Sequence, residues 1–121
     1  GHLEDEALRL LEQLRRPLAA QEIPDAGFCH GAAGLAHIYN IAFQRTRILA
    51  MRAEAIHWIG QVLRCKKPGS GIAGYAYWKV DDRVPSWKID TRLLSGAVGT
   101  ALVLLAAIED QEPDWQQLLV L

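Results

Sequence analysis

The chain has 121 residues, with 13 basic and 14 acidic side chains and a formal net charge of −1 at pH 7. This length fits a single domain, and the hydrophobic share of 50% excludes an intrinsically disordered segment. A net charge so close to zero argues against a nucleic-acid-binding domain, which normally carries a basic excess.

The first half of the chain is predicted to be mainly helical. Residues 4–16 follow the apolar spacing of an amphipathic helix and begin with acidic side chains, which the helix dipole favours. A connection over residues 17–30 contains a turn signal and leads to a second helix that starts at Gly31 and runs to about residue 44. A third helix is predicted over 48–64 from the spacing of its apolar residues, and a cluster rich in glycine and proline ends it.

The second half of the chain begins with a segment of different character. Over residues 72–92 aromatic and β-branched side chains alternate with polar or small ones, which predicts a loop with a short β-hairpin near 72–90. A fourth helix is predicted over 96–108, and its apolar residues on nearly every side indicate that it is covered on most sides. A last short helix is predicted over 115–121. The predicted fold class is all-α, with this hairpin as its one addition.

Two short stretches that lie 65 residues apart have similar sequences. Residues 31–36, GAAGLA, match residues 96–101, GAVGTA, and each stretch opens a helix after a loop. Glycines three residues apart let a helix end approach another backbone closely. Coincidence in a chain rich in alanine and glycine is the alternative, but an amphipathic helix precedes each loop and favours repetition. Repeated helical pairs are typical of a solenoid or of a closed ring of helical hairpins.

Cys29 and His30 are neighbours at the predicted start of the second helix. A helix N-terminus favours a thiolate, and both side chains are common zinc ligands. Because a catalytic zinc ion usually takes three protein ligands, two adjacent ligands form an incomplete site. From the residues alone, a buried cysteine beside a surface histidine is the more common case. His37 is conceivable as a further ligand, although a helix-face histidine with a polar partner is the favoured interpretation.

The stretch CHGAAG at 29–34, followed by the apolar helix 35–43, resembles the Cys-His-Gly motif of the lanthionine synthetase C-like family, the lanthipeptide cyclases. The stretch LLSGAVGTAL at 93–102 resembles the last Leu-Leu-x-Gly-x-x-Gly repeat of that family, and WQQLL at 115–119 resembles its C-terminal end. The resemblance covers the chain in order, but only the C-terminal part of the family's catalytic domain. It implies that residues 1–121 are a single C-terminal fragment, with two to three helical hairpins of an (α/α) toroid.

The resemblance also implies a function, namely that the parent protein is a zinc-dependent lanthionine cyclase. Cys29 and His30 would be zinc ligands, and a third protein ligand, a cysteine, is expected upstream of this chain. The zinc ion would lower the pKa of a cysteine thiol in a dehydrated precursor peptide, and the thiolate would add to dehydroalanine or dehydrobutyrine to form a thioether ring. The family's catalytic histidine also lies upstream, so no catalytic residue is expected here and the isolated chain is expected to be inactive. Cys65 does not match a family ligand.

The implied partners are the dehydrated precursor peptide, the remainder of the toroid, and a dehydratase protein or fused dehydratase domain. Aromatic side chains concentrate in one segment, and Tyr75, Tyr77, Trp78 and Trp87 are candidates for packing on the peptide. A loop folded onto the protein by its own aromatic residues is an equal alternative. Six of the 13 bases lie within residues 45–67 and could meet an acidic partner, although a solvated helix face is more common.

The sequence has no apolar run near the ~20 residues of a membrane span and no signal-peptide pattern at its beginning. Two cysteines are too few for a disulfide scaffold. We therefore expect a cytoplasmic protein that partners could bring to the membrane surface. Besides the cyclase, two function classes stay open: a non-catalytic peptide- or thiol-binding module, and a structural helical-repeat fragment.

Overall fold

The computed structural model describes residues 1–15 and 23–119 of the chain. Its elements, in chain order, are α1 (His2–Leu14), α2 (Ala32–Thr46), α3 (Leu49–Arg64), β1 (Tyr77–Asp81), β2 (Val84–Lys88), α4 (Ala97–Ala107) and a 3₁₀-helix (Asp114–Leu119). The predicted helices therefore occur close to their predicted positions, and the predicted last helix is a 3₁₀-helix. Residue 16 of the first predicted helix, residues 17–22 of the predicted connection, and residues 120–121 lie outside the described residues.

The helices α2 and α3 form the centre of the structure. The chain turns between them because Arg47 adopts a left-handed conformation, with φ of 57°, and its N–H donates to the carbonyl of Phe43 at 2.7 Å. The buried side of α2 consists largely of alanines, which lets α3 pack closely against it. The buried apolar side chains of α3 are Met51, Ala55, Trp58 and Val62. Their spacing of four, three and four residues is that of one helix face.

The strands β1 and β2 form a two-stranded antiparallel sheet, in which Trp78 lies opposite Trp87. Asp82 and Arg83 join the strands with φ angles of 47° and 65°, as expected of a two-residue turn that matches the twist of a hairpin. The predicted hairpin near 72–90 is therefore confirmed. The predicted all-α fold class is wrong, because the described part of the chain combines helices with a hydrogen-bonded sheet and is not plainly an all-α toroid.

The helix α4 is less covered than its composition predicts. Its buried residues are Gly99, Thr100, Val103 and Ala106, which form the side that faces α2. Leu105 on the other side is 54% exposed. The prediction that α4 is covered on most sides is wrong for the described part of the chain, because that part packs against one side of the helix only. None of the described helices combines the length and the hydropathy that crossing a lipid bilayer requires.

Candidate functional site

The segment before α2 is a tight turn, which we call the first loop (residues 25–31). The side-chain carboxylate of Asp25 accepts a hydrogen bond from the N–H of Gly27 at 2.8 Å. The main-chain carbonyl oxygen of Asp25 accepts one from the N–H of Ala32 at 2.9 Å. A Cβ atom at Gly31 would lie 2.7 Å from the carbonyl oxygen of Asp25 and closer still to the nitrogen of Gly27. The first loop therefore requires glycine at position 31.

The segment before α4, the second loop (residues 90–96), has the same arrangement 65 residues later. The side-chain carboxylate of Asp90 accepts a hydrogen bond from the N–H of Arg92 at 2.8 Å. The main-chain carbonyl oxygen of Asp90 accepts one from the N–H of Ala97 at 2.8 Å. A Cβ atom at Gly96 would lie 2.6 Å from the carboxylate of Asp90. The predicted repeat is thus confirmed, and the structure extends it backward from the glycines to an aspartate in each loop.

The two loops lie against each other. The N–H of Cys29 donates to the carbonyl oxygen of Leu94 at 2.7 Å, which joins equivalent positions of the two loops. The hydroxyl of Thr100 donates to the carbonyl oxygen of Ala26 at 2.8 Å and accepts the hydroxyl of Tyr77 at 2.9 Å. These bonds fix the beginnings of α2 and α4 to each other and to β1.

The aspartates of both loops also hold β1. Asp25 accepts the N–H of Trp78 at 2.8 Å, and the carboxylate of Asp90 lies 2.7 Å from the ammonium group of Lys79. Hydrogen bonds from Arg92 above all, and also from Lys79 and Ser95, hold the pKa of Asp90 far below its ordinary value although the side chain is buried. The hairpin is therefore tied to the start of α2 through one carboxylate and to the start of α4 through the other.

Cys29 and His30 occupy the positions of the first loop that correspond to Leu94 and Ser95 of the second. Both side chains are exposed, and the Sγ atom of Cys29 lies 4.0 Å from Nε2 of His30. Ser95 donates its hydroxyl to the carboxylate within its own loop at 2.8 Å, whereas the turn of the first loop is formed by backbone groups and an aspartate. The side chains of Cys29 and His30 therefore lie close together on the surface, and the conformation of the first loop does not depend on the thiol or the imidazole.

The predicted zinc cofactor is contradicted by the described residues. Among residues 1–15 and 23–119, no group of three or more His, Cys, Asp or Glu side chains is arranged to hold a metal ion. The pair offers two donors, and a protein zinc site needs at least three. His37, the conceivable additional ligand, is only 2% exposed and stacks on Trp115, with ring centroids 4.8 Å apart. Cys65 is half-buried, and burial raises the pKa of its thiol.

The four aromatic residues predicted to contact a peptide fall into two groups. Tyr75 and Tyr77 are 9% and 0% exposed and belong to the core. Trp78 and Trp87 are 39% and 49% exposed, and their rings meet edge to face with centroids 5.2 Å apart. The ammonium group of Lys67 lies 5.4 Å from the centre of the Trp87 ring. The two tryptophans can therefore contact a ligand at the surface, whereas the two tyrosines support the fold.

His37 is a buried titratable group that contacts the ring of Phe28 as well as that of Trp115. Burial lowers the pKa of His37 below 6.5, and the neighbouring side chain of Gln116 and the charge of Glu112 oppose this shift only in part. Neither ring nitrogen of His37 has a hydrogen-bond partner among the described residues. Sequence spacing indicated only that His37 lies on a helix face. It could not show that the residue is buried, because the aromatic residues around it come from the first loop and from the 3₁₀-helix.

We expect the protein to lose stability as the pH falls below 6.5, because the unfolded chain then binds a proton at His37 that the folded chain binds only at lower pH. The variant His37→Phe removes this contribution and should reduce the loss. Urea unfolding at about pH 7.5 and about pH 5.5 measures the difference in the free energy of unfolding. The control His57→Ala changes an exposed histidine and should keep the wild-type loss. An unchanged loss in His37→Phe would contradict the assignment.

Comparisons with known proteins leave the resemblance seen in the sequence untested. No protein-family model matches the chain, and neither the curated proteins nor the solved structures give a significant match. The likeness to the lanthionine synthetase C-like family thus stays a prediction that rests on residues 29–34, 93–102 and 115–119.

Proposed function

We propose that the chain forms part of a lanthionine cyclase, in which it contacts the cysteine thiol of a dehydrated peptide. The observation that carries this proposal is the exposed pair of Cys29 and His30, whose Sγ and Nε2 atoms lie 4.0 Å apart. The equivalent second loop forms with Leu94 and Ser95 in these positions, so the turn itself needs neither a thiol nor an imidazole. The resemblance of residues 29–34 to the Cys-His-Gly motif supplies the reaction class.

The reaction is an addition of a thiol to a dehydroamino acid. A C–S bond forms at the β-carbon, the C=C π bond breaks, the thiol proton passes to a base, and the α-carbon receives a proton. The imidazole of His30 is an exposed base that can accept the thiol proton, and the sulfur of Cys29 offers a polarizable contact to the incoming sulfur. The family's groups for the second proton transfer have no counterpart in this sequence, so we expect the isolated chain to bind the peptide without closing rings.

The exposed tryptophans Trp78 and Trp87 lie on the hairpin that a hydrogen bond ties to the first loop, and they suit a peptide of this kind. Asp25 accepts hydrogen bonds from Gly27 inside the loop and from the backbone of Trp78 on β1. The same carboxylate thus connects the loop that carries Cys29 with the strand that carries an exposed tryptophan, and Trp87 packs against that ring. Dehydroalanine and dehydrobutyrine have small apolar side chains that can pack on such a surface.

The test measures ring closure by the protein that carries this chain, with a dehydrated peptide that contains cysteine. Ring closure consumes a thiol without changing the mass of the peptide, so N-ethylmaleimide labelling followed by mass spectrometry counts the thiols left open. His30→Ala is expected to slow ring closure by about 100-fold, and Cys29→Ala is expected to slow it by a smaller factor. The controls Cys65→Ala and His57→Ala change another cysteine and another histidine and should leave the rate unchanged. Equal rates in all four variants would contradict the proposal.

A non-catalytic peptide-binding module is a second candidate, favoured by the exposed pair of Trp78 and Trp87. Such a module would bind the peptide, with a change in tryptophan fluorescence, and would close no ring in any variant. A structural helical-repeat fragment would do neither. Peptide binding and ring closure, measured on the same samples, therefore separate the three function classes.

We also propose a cytoplasmic location, where a dehydratase partner would supply the dehydrated peptide. Cys29 and Cys65 are unpaired thiols, which is typical of a reducing compartment. Cell fractionation with and without the dehydratase tests this location and recruitment to the membrane surface. Recovery of the protein from an oxidising compartment would contradict the proposed cytoplasmic location.

A further inference from the structure

The exposed side of α3 carries an apolar stripe with the spacing of a helix–helix contact. Leu49, Ile56 and Leu63 lie seven residues apart and are 74%, 56% and 55% exposed, and the small residues Ala53 and Gly60 lie between them. A Cβ atom at Gly60 would meet nothing within 4 Å outside its own helix turn. Large residues that alternate with small ones at heptad spacing let a second helix approach closely. We call these five residues the α3 seam.

The charges around the α3 seam are basic. Residues 45–67 contain six lysines and arginines and a single acidic residue, Glu54, whose carboxylate lies 3.6 Å from the guanidinium of Arg15, the residue that follows α1. Arg52 and Arg64 are exposed next to the seam. Two α3 seams packed together would bring like charges into contact, which costs affinity. The charge therefore favours an acidic helix with the same spacing.

The helix α1 has such a seam. Leu3, Leu10 and Leu14 are 85%, 53% and 65% exposed and, together with the exposed Ala7, follow heptad spacing. We call these four residues the α1 seam. Residues 1–15 contain four acidic and two basic side chains, so α1 is acidic where the region around α3 is basic. Charge and spacing of the two seams are complementary.

Within one chain the two seams do not meet. α1 contacts α2 through the adjoining side, where Leu11 packs against the core and its carbonyl oxygen accepts the hydroxyl of Tyr39 at 3.2 Å. Leu3 and Ala7 border the open cleft between the two helices. The side chain of Arg15 holds the end of α1 near Glu54 of α3. Both seams stay exposed in this arrangement, so each is open to a second copy of the chain.

We propose that two copies of this chain associate reciprocally, with the α1 seam of each copy packed on the α3 seam of the other. A reciprocal dimer is a closed assembly, because both seams of both copies are covered in its two helix contacts. A single contact between two copies would leave one seam free on each copy, and further copies could add to form a filament. The contact buries leucine and isoleucine side chains at its centre and brings acidic and basic side chains together at its rim, as in helix pairs that select their partner by charge.

Sedimentation velocity over a micromolar concentration series tests this association. The wild type is expected to show a monomer–dimer equilibrium that weakens as salt is added. Gly60→Leu fills the space that the second helix needs, and Leu10→Asp places a charge in the α1 seam. Each is expected to raise the dissociation constant by about tenfold or more. Circular dichroism checks that both variants keep the wild-type helix content.

A mixture of the two variants is the sharpest measurement. Each variant alone has lost both contacts of the dimer, but a mixed pair keeps one, in which α1 of the Gly60→Leu chain packs on α3 of the Leu10→Asp chain. Mixing should therefore restore part of the association. The control Leu118→Asp changes a side chain that is 82% exposed outside both seams and should associate like the wild type. A wild type that stays monomeric, a Leu10→Asp variant that associates normally, or a mixture without dimers would overturn the proposal.

Discussion

Replacing Gly31 by alanine is expected to lower the free energy of unfolding by about 3 kcal/mol. The new Cβ atom would lie 2.7 Å from the carbonyl oxygen of Asp25 and closer to the nitrogen of Gly27. Both are main-chain atoms, so the clash cannot be relieved by rotating a side chain. The first loop would therefore have to open, and its hydrogen bond to the start of α2 would weaken. Urea unfolding followed by far-UV circular dichroism measures the loss.

Two further glycine variants serve as controls for this prediction. Gly96→Ala should lose about as much stability as Gly31→Ala, because its Cβ atom would lie 2.6 Å from the carboxylate of Asp90 in the equivalent loop. Gly60→Ala should instead raise the free energy of unfolding by about 0.5–1 kcal/mol at protein concentrations that keep the chain monomeric, since alanine favours a helix interior. A Gly31→Ala variant as stable as the wild type would contradict the tight geometry of the first loop.

Replacing Asp90 by alanine is expected to lower the free energy of unfolding by about 2–3 kcal/mol. The side chain of Asp90 is 4% exposed and accepts hydrogen bonds from the backbone and guanidinium of Arg92 and from the hydroxyl of Ser95. Without the carboxylate, the ammonium group of Lys79, which is 20% exposed, loses its ion pair. The second loop and β1 would both lose a connection.

The same carboxylate gives the Asp90→Ala variant a distinct pH dependence. Hydrogen bonds from Arg92 and the other donors lower the pKa of Asp90 below 3.8 in the folded chain. Its contribution to stability is therefore present above that value and is lost as the pH falls from there toward the folded pKa. Unfolding measured between about pH 5 and about pH 3 should show a smaller loss for Asp90→Ala than for the wild type.

The control for Asp90 is Asp81, a second aspartate in an ion pair. Asp81 pairs with Lys88 across the hairpin, but its side chain is 61% exposed, so water and salt screen the pair. Asp81→Ala should leave stability close to the wild type. Equal losses in the two aspartate variants would contradict the role of burial in the second loop.

The candidate site was predictable only where it depends on neighbouring residues. Cys29 and His30 are adjacent in the chain, so their proximity and their position at a helix start follow from the sequence. The role of Asp25 was missed, although an aspartate also lies 65 residues later at position 90 and this match was a signal that could have revealed it. The zinc prediction is contradicted because adjacency in the sequence supplies only two donors, and the described residues bring no third His, Cys, Asp or Glu side chain to the pair.

By itself, the sequence determined the local features of this protein: the helices at 32–46, 49–64 and 97–107, the hairpin at 77–88, and the glycines that open two helices. Apolar spacing, chain-breaking residues and turn residues act over a few positions, so each leaves its mark in a short stretch. Only the tertiary structure decided which side chains each element buries, because that depends on what packs against it. Tyr77 is buried and Trp78 is exposed because successive side chains of a strand point to opposite faces, and the face on which Tyr77 contacts Thr100 of α4 is the one that the rest of the protein covers.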